Sequence, residues 1–187
     1  MFDTLIAGIA KTFSKASLPY MIIGGQAVLL HGTPRMTKDI DITLGVDIDS
    51  LETVTAAVAA AGLEVIPEDF RPFVKETYVL PTRDAAGGIR VNFIFSFTHY
   101  ERQAIARAKV VSLLETPVMF AAVKDMVIHK IFASPRDLED VRSILIKNSD
   151  IDVPYVRNWI EKFDEPDQEK GLLRIFEEIL KKTRDSP

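Results

Sequence analysis

Apolar residues recur along this chain at two spacings, and each spacing predicts a type of element. Near the N-terminus they return every three or four positions, which predicts an amphipathic helix over 2–15, with its stripe at Phe2, Leu5, Ile6, Ile9 and Phe13. A β-branched and aromatic run at 20–23 predicts a strand that ends at two glycines. A short helix at 26–31, a strand at 39–44 and a helix at 50–61 follow, the last closed by Gly62.

The middle of the chain has a different composition. Two β-rich runs, 73–80 and 89–97, flank a stretch of turn composition at 81–88, which predicts a hairpin. A helix at 100–108 and a short strand at 109–114 complete this part. From Met119 onward only helical stripes are found, and they predict helices around 123–131, 138–145, 156–163 and 172–180.

The order of these elements predicts an α/β (α+β) fold, with a small mixed β-sheet flanked by helices. We expect two parts, an α/β core at 1–118 and a helical C-terminal part at 119–187 packed on that core. The 187 residues are 47% hydrophobic and 27% charged, as in ordinary soluble globular proteins. No apolar run approaches the roughly 20 residues of a spanning helix, and no basic leader precedes one. We therefore expect a cytoplasmic protein without a membrane partner.

Cysteine content and charge narrow the chemistry. Because the chain has no cysteine, disulfides, thiolate zinc sites and cysteine nucleophiles are excluded. The net charge of -4 argues against strong nonspecific binding of nucleic acid. Residues 71–109 nevertheless carry a local excess of basic over acidic side chains. Two interpretations stay open: a surface that faces phosphate, or the solvated face of a hairpin and a helix.

The candidate chemistry lies between residues 24 and 41. Asp39 and Asp41 stand two positions apart on a predicted strand, so their carboxylates share one face about 6.6 Å apart. Carboxylate oxygens are suitable ligands for a divalent cation. Gly24 and Gly25 join a strand to a helix, where free backbone amides attract a phosphate. Either motif alone is more often structural, but together they indicate metal-assisted nucleotidyl or phosphoryl transfer.

These motifs resemble the minimal nucleotidyltransferases of the DNA polymerase β-like superfamily, which include the nucleotidyltransferase toxins of toxin–antitoxin systems. The resemblance covers about residues 18–147 and rests on Gly24-Gly25-Gln26-Ala27, His31-Gly32, Arg35, Thr37, Asp39-Ile40-Asp41, Lys124-Asp125 through Lys130, Arg136-Asp137-Leu138 and Asp140-Val141. It implies a nucleotidyltransferase-like fold, a Mg²⁺ cofactor and an NTP substrate. It also implies that RNA, a protein or a small molecule accepts the nucleotidyl group, and it makes an antitoxin a candidate partner.

The resemblance also implies a role for each site residue. Asp39 and Asp41 are expected to be catalytic and to hold the metal, and the two glycines to bind the phosphates. The other expected nucleotide-binding residues are Arg35, Thr37, Asp125, Lys130, Asp137 and Asp140. For Lys130 a phosphate contact and a salt-bridged hub are both open interpretations. His31, His99 and His129 lack metal-ligand spacing, so we assign no metal role to them.

One position departs from the family pattern. Active relatives carry a third acidic residue on the hairpin strand, and Asn92 occupies that catalytic position here. An amide oxygen can ligate a metal, but it carries no charge and is a poor base. Three alternatives follow: one metal suffices, another acid substitutes, or the chain is a catalytically degenerate module that binds a nucleotide or a partner. A dinucleotide site is excluded because no Gly-x-Gly-x-x-Gly follows a strand.

Overall fold

The computed structural model of the chain describes residues 1–34, 36–66, 68–132, 135–164 and 171–184, with only the backbone of Pro135 and Arg136. Within these ranges the protein contains α-helices α1 (Phe2–Lys15), α2 (Gly24–His31), α3 (Leu51–Ala60), α4 (Phe70–Thr77), α5 (His99–Ala106), α6 (Val123–Ile131), α7 (Pro135–Lys147), α8 (Val153–Phe163) and α9 (Leu172–Arg184). A 3₁₀ turn at Ile48–Ser50 precedes α3. None of the described helices is long and apolar enough to cross a membrane.

One mixed sheet organises the N-terminal two thirds of the chain. Its strands are β1 (Tyr20–Ile23), β2 (Asp39–Leu44), β3 (Leu63–Val65), β4 (Val79–Asp84), β5 (Arg90–Ile94), β6 (Lys109–Leu113) and β7 (Thr116–Phe120). They lie in the order β3-β4-β5-β2-β1-β7-β6. The pairs β1–β7 and β2–β5 are parallel, and the other neighbours are antiparallel. The predicted mixed α/β fold class is therefore confirmed.

Contacts within the chain divide it into two compact units. The first comprises Met1–Gln26 and Met36–Ala121 and contains the sheet. Its core includes Phe13 of α1, whose ring stacks on Phe93 of β5 with centroids 5.2 Å apart and forms a T-shaped pair with Tyr20 at 5.8 Å. Such aromatic contacts add to the burial of apolar area that stabilises the sheet.

The second unit comprises Ala27–Arg35 and Ala122–Pro187. In it α6 contacts α7 and α8, and α9 contacts the same two helices. The segment 27–35 joins this unit because Asn148 Nδ2 donates to the carbonyl oxygen of His31 at 2.8 Å and Lys147 Nζ donates to that of Gly32 at 2.5 Å. The domain division at 118/119 stays a prediction, since compactness alone does not show which segments fold independently.

Several predicted elements need correction. Residues 73–77 lie in helix α4 rather than in a strand, and the C-cap after that helix is Tyr78, which adopts a left-handed backbone with φ of 58°. The strand predicted at 73–80 instead occupies 79–84, so its last four residues lie in the stretch where composition predicts a turn. Pairing with β3 on one side and β5 on the other holds it, because strand formation depends on neighbours more than on composition. Strands β3 and β7 were not predicted, so the sheet is larger than expected and helix begins at Val123 rather than Met119.

Candidate functional site

The parallel pairing of β2 with β5 brings the candidate catalytic side chains together. Asp39 lies opposite Arg90, and Asp41 lies opposite Asn92. Directly paired residues project to the same face of a sheet, so all four side chains share that face. Asn92 Nδ2 donates a hydrogen bond to Asp41 Oδ1 at 2.9 Å. Residues separated by fifty-one positions in the sequence therefore form one polar cluster.

Alternation along β2 explains why this face is polar at one end only. Ile40 and Ile42 are fully buried on the opposite face, as the sequence predicts, and Asp39 and Asp41 are partly exposed. Thr43, two positions beyond Asp41, is also buried. The carboxylates therefore stand at the end of β2 that solvent and a ligand can reach, and apolar packing fixes the strand behind them.

The two glycines are required by their neighbours. Gly24 has a positive φ of 62°, and a Cβ there would lie 2.3 Å from Asp41 Oδ2. A Cβ on Gly25 would lie 2.5 Å from Thr37 Oγ1. Helix α2 starts at Gly24, two residues earlier than predicted. Absence of side chains at both positions lets the first turn of α2 lie directly against the carboxylate and the threonine.

Thr37 supports the other carboxylate. Its hydroxyl is 3.1 Å from the main-chain oxygen of Asp39 and 3.3 Å from Asp39 Oδ1. A hydroxyl can donate only one proton, so it divides its hydrogen bond between the two acceptors. Thr37 therefore orients the first carboxylate, and its expected contact with the nucleotide stays a prediction.

The donor set fits one divalent cation. Among the residues that the structure describes, no group of three or more His, Cys, Asp or Glu could hold a metal ion. Asp39 and Asp41 still offer two carboxylates on one accessible face. Mg²⁺ is usually held by only one or two protein carboxylates, with waters and substrate phosphates completing its shell. The residues present thus suit a magnesium ion that is shared with a polyphosphate.

Arg90 belongs to the basic excess of residues 71–109, but it was not predicted to be a site residue. Its side chain is exposed on the site face and forms no ion pair with a described residue. In contrast, Arg71 pairs with Glu52 at 2.9 Å and Arg83 with Glu64 at 3.9 Å, both in solvent, where such pairs contribute little. The sequence does carry a signal for Arg90, because it stands two positions before Asn92 on the same predicted strand and must share its face.

In the second unit Lys130 forms the salt-bridged hub that was one of its two interpretations. Its ammonium group contacts Asp137 and lies 3.0 Å from Asp140 Oδ2. Lys130 and Asp140 are both more than 90% buried, and removing one partner of a buried pair leaves an uncompensated charge. The hub therefore fixes the junction of α6 and α7. A phosphate contact by Lys130 stays a prediction.

Asp125 lies near the start of α6 and is fully buried. It accepts a hydrogen bond from Tyr155 of α8 at 3.1 Å. No local signal predicts Tyr155, because it stands thirty positions further along the chain. Arg35 lies outside the described residues. The roles in nucleotide binding assigned to these residues remain predictions.

Comparison with known proteins adds the fold family. No protein-family model matches the sequence, and no curated protein does so. Solved structures do match. The solution structure of the antibiotic-resistance factor ANT(2″)-Ia has a TM-score of 0.58 at 20% identity, over 86% of this chain and 90% of that chain. A crystal structure of an antigenic nucleotidyltransferase-like protein from Paracoccidioides brasiliensis has a TM-score of 0.58 at 17% identity, over 98% and 88%.

The chain has a nucleotidyltransferase-like fold. A third structure supports this, the crystal structure of ANT(2″)-Ia in complex with adenylyl-2″-tobramycin, with a TM-score of 0.57 at 19% identity over 86% of this chain and 95% of that chain. Similarity at this level of identity establishes the fold, whereas activity depends on the chemistry of specific residues. In this nucleotidyltransferase-like fold, the cluster at Asp39, Asp41 and Asn92 is the candidate for that chemistry.

Proposed function

We propose that this protein is a Mg²⁺-dependent nucleotidyltransferase that moves a nucleotidyl group from an NTP to an acceptor hydroxyl. One observation carries the proposal: Asp39 and Asp41 share an accessible sheet face, and Asp41 lies directly against Gly24 at the first turn of α2. Free amides at a helix start attract phosphate, and paired carboxylates suit the accompanying cation. The nucleotidyltransferase-like fold supports the same activity.

The residues of this face have distinct proposed roles. Asp39 and Asp41 would hold the Mg²⁺, which when bound neutralises charge on the phosphates. Thr37 keeps Asp39 oriented, and the first turn of α2 receives the phosphates. Arg90 adds a positive charge on the same face. In the reaction the acceptor oxygen bonds to the α-phosphorus, the bond to the pyrophosphate oxygen breaks, and the hydroxyl proton passes to water.

Further roles come from the family resemblance. Arg35 and Lys130 are proposed to offset phosphate charge, and Asp125, Asp137 and Asp140 to order the helical wall of the nucleotide site. Membership of the toxin branch, with an antitoxin as partner and a cytoplasmic location, is likewise a proposal. Lys130 already forms ion pairs with Asp137 and Asp140. A phosphate that binds Lys130 must therefore either compete with these carboxylates or join their network.

Three acceptor classes remain candidates: RNA, a protein hydroxyl and a small molecule. Structures of ANT(2″)-Ia include a complex with adenylyl-2″-tobramycin, which supports testing a small hydroxylated molecule first. Arg71 and Arg83 form exposed ion pairs with glutamates. Residues 71–109 therefore offer less unpaired positive charge to RNA than their sequence suggests. We therefore rank a small-molecule acceptor above RNA.

Transfer of label tests the proposal. Purified protein is incubated with each α-labelled NTP, Mg²⁺ and one acceptor class at a time: aminoglycosides such as tobramycin, total tRNA, or cellular protein. The double variant Asp39→Asn/Asp41→Asn should lose at least about 100-fold in rate, because charge stabilisation at the phosphates is removed. The control Asp69→Asn/Asp150→Asn removes two exposed carboxylates and should keep the wild-type rate. Label transfer that survives Asp39→Asn/Asp41→Asn contradicts the assignment.

A second candidate function is a nucleotide-binding module without turnover. Asn92 favours it, because an amide at the third catalytic position has neither the charge nor the basicity of a carboxylate. This candidate predicts Mg²⁺-dependent binding of an NTP in calorimetry with no label transferred to any acceptor, and gain of transfer on Asn92→Asp. Label transferred by the unaltered protein rules it out.

A further inference from the structure

Asn92 acts on Asp41 in a way that the family pattern does not predict. The two side chains meet at 2.9 Å, with Nδ2 of the amide as the donor and Oδ1 of the carboxylate as the acceptor. An ionised carboxylate can only accept hydrogen bonds, so the amide must present its NH₂ group to it. The amide oxygen of Asn92 is consequently on the side away from Asp41. Asn92 is therefore a donor to Asp41 rather than a third oxygen ligand beside it.

The other carboxylate oxygen of Asp41 is also held in place. Oδ2 lies against Gly24, at 2.3 Å from where a Cβ would stand, so the backbone of α2 limits rotation of the carboxylate. Hydrogen-bond partners that orient metal ligands typically contribute about 10- to 100-fold to metal affinity. Both oxygens of Asp41 thus have a close neighbour that restricts the carboxylate before any ion arrives.

Charge sets how many ions this face can hold. Asp39 and Asp41 together carry two negative charges, which one divalent cation neutralises. Asn92 adds none, and the partner opposite Asp39 is Arg90, a cation. A second divalent ion would meet net positive charge on the face, whereas sites for two metals bring further carboxylates.

We propose that Asn92 is a positioning residue that holds Asp41 for a single divalent cation shared with Asp39. The inference rests on the proposed function for the use of that ion. In this role the amide of Asn92 orients the carboxylate and adds no charge that would recruit a second ion.

Counting bound Mn²⁺ tests this directly. The free-ion signal in electron paramagnetic resonance is followed as Mn²⁺ is titrated into the apoprotein, which gives the number of ions per chain and their affinity. Wild type should bind one Mn²⁺. Asn92→Ala should still bind one, about tenfold more weakly, and isosteric Asn92→Asp should bind a second ion. Asn158→Ala and Asn158→Asp make the same changes at an exposed position of α8 and should match wild type.

The outcomes separate this inference from the proposed activity. Two ions on the wild-type chain, or an Asn92→Ala affinity within about twofold of wild type, overturns the inference. An Asn92→Asp isotherm equal to that of wild type overturns it as well. Thermal unfolding without metal checks that each variant is folded. The transfer assay is read separately. If wild type transfers label but the Mn²⁺ isotherm of Asn92→Ala equals that of wild type, only the inference about Asn92 is wrong. If wild type binds one ion but transfers no label, only the proposed activity is wrong.

Discussion

Replacing Gly24 by alanine tests the close contact on which the site depends. The residue has a φ of 62°, and its new Cβ would stand 2.3 Å from Asp41 Oδ2. The left-handed backbone alone costs a residue with a Cβ about 1–2 kcal/mol. Displacing the carboxylate also breaks its hydrogen bond with Asn92, and bonds to charged groups contribute about 1.5–3 kcal/mol. We expect Gly24→Ala to lower the free energy of unfolding by roughly 3–5 kcal/mol.

Two other glycines provide matched controls. Gly62 and Gly88 have φ values of 77° and 69°, and a Cβ on either would meet nothing within 4 Å. Alanine there carries the backbone strain without the collision, so each control should lose only about 1–2 kcal/mol. Urea unfolding gives the three free energies of unfolding, and calorimetry with ATP and Mg²⁺ measures binding. Binding should weaken at least about tenfold in Gly24→Ala alone, since its carboxylate is displaced.

Either of two results would contradict this expectation for Gly24→Ala. If Gly24→Ala loses no more stability than Gly62→Ala, the collision with Asp41 costs nothing and the contact is not close. If its binding of ATP with Mg²⁺ equals that of both controls, the orientation of Asp41 does not matter for the ligand.

Two further predictions concern stability away from the site. Gly8 lies inside α1 with nothing within 4 Å of a Cβ, so Gly8→Ala should raise the free energy of unfolding by about 0.5–1 kcal/mol in urea; a loss of stability would contradict this. Glu177 of α9 accepts a hydrogen bond from Arg157 of α8 at 2.5 Å, which lowers the pKa of Glu177. Because the pair is about 40% exposed, Glu177→Gln should cost at most about 1 kcal/mol at neutral pH. A carboxyl group whose pKa is lowered by folding contributes stability above its unfolded pKa. The free energies of unfolding of wild type and Glu177→Gln should therefore converge as the pH falls below about 4. A difference that stays constant with pH refutes the pairing.

Much of the site could be predicted because its signals are local. Alternation of Asp39 and Asp41 with Ile40 and Ile42 indicates a strand with one polar face, and this holds in the structure. The same alternation places Arg90 on the face of Asn92, two positions further on, and so could have predicted Arg90 as a site residue. Composition was a poorer guide at 73–80, where aromatic and β-branched residues form a helix before the strand begins. A short apolar run suits either element, so its neighbours decide.

Sequence alone thus determined the mixed α/β class, the strand with its two carboxylates and the twin glycines before a helix, because each is a pattern within a few residues of chain. Tertiary structure decided what those patterns contact. It paired Asp41 with Asn92, placed Asp41 against Gly24, and grouped residues 27–35 with the C-terminal helices. Spacing along the chain reports which face a side chain occupies, whereas strand register and helix packing, set by contacts between distant segments, choose its partner.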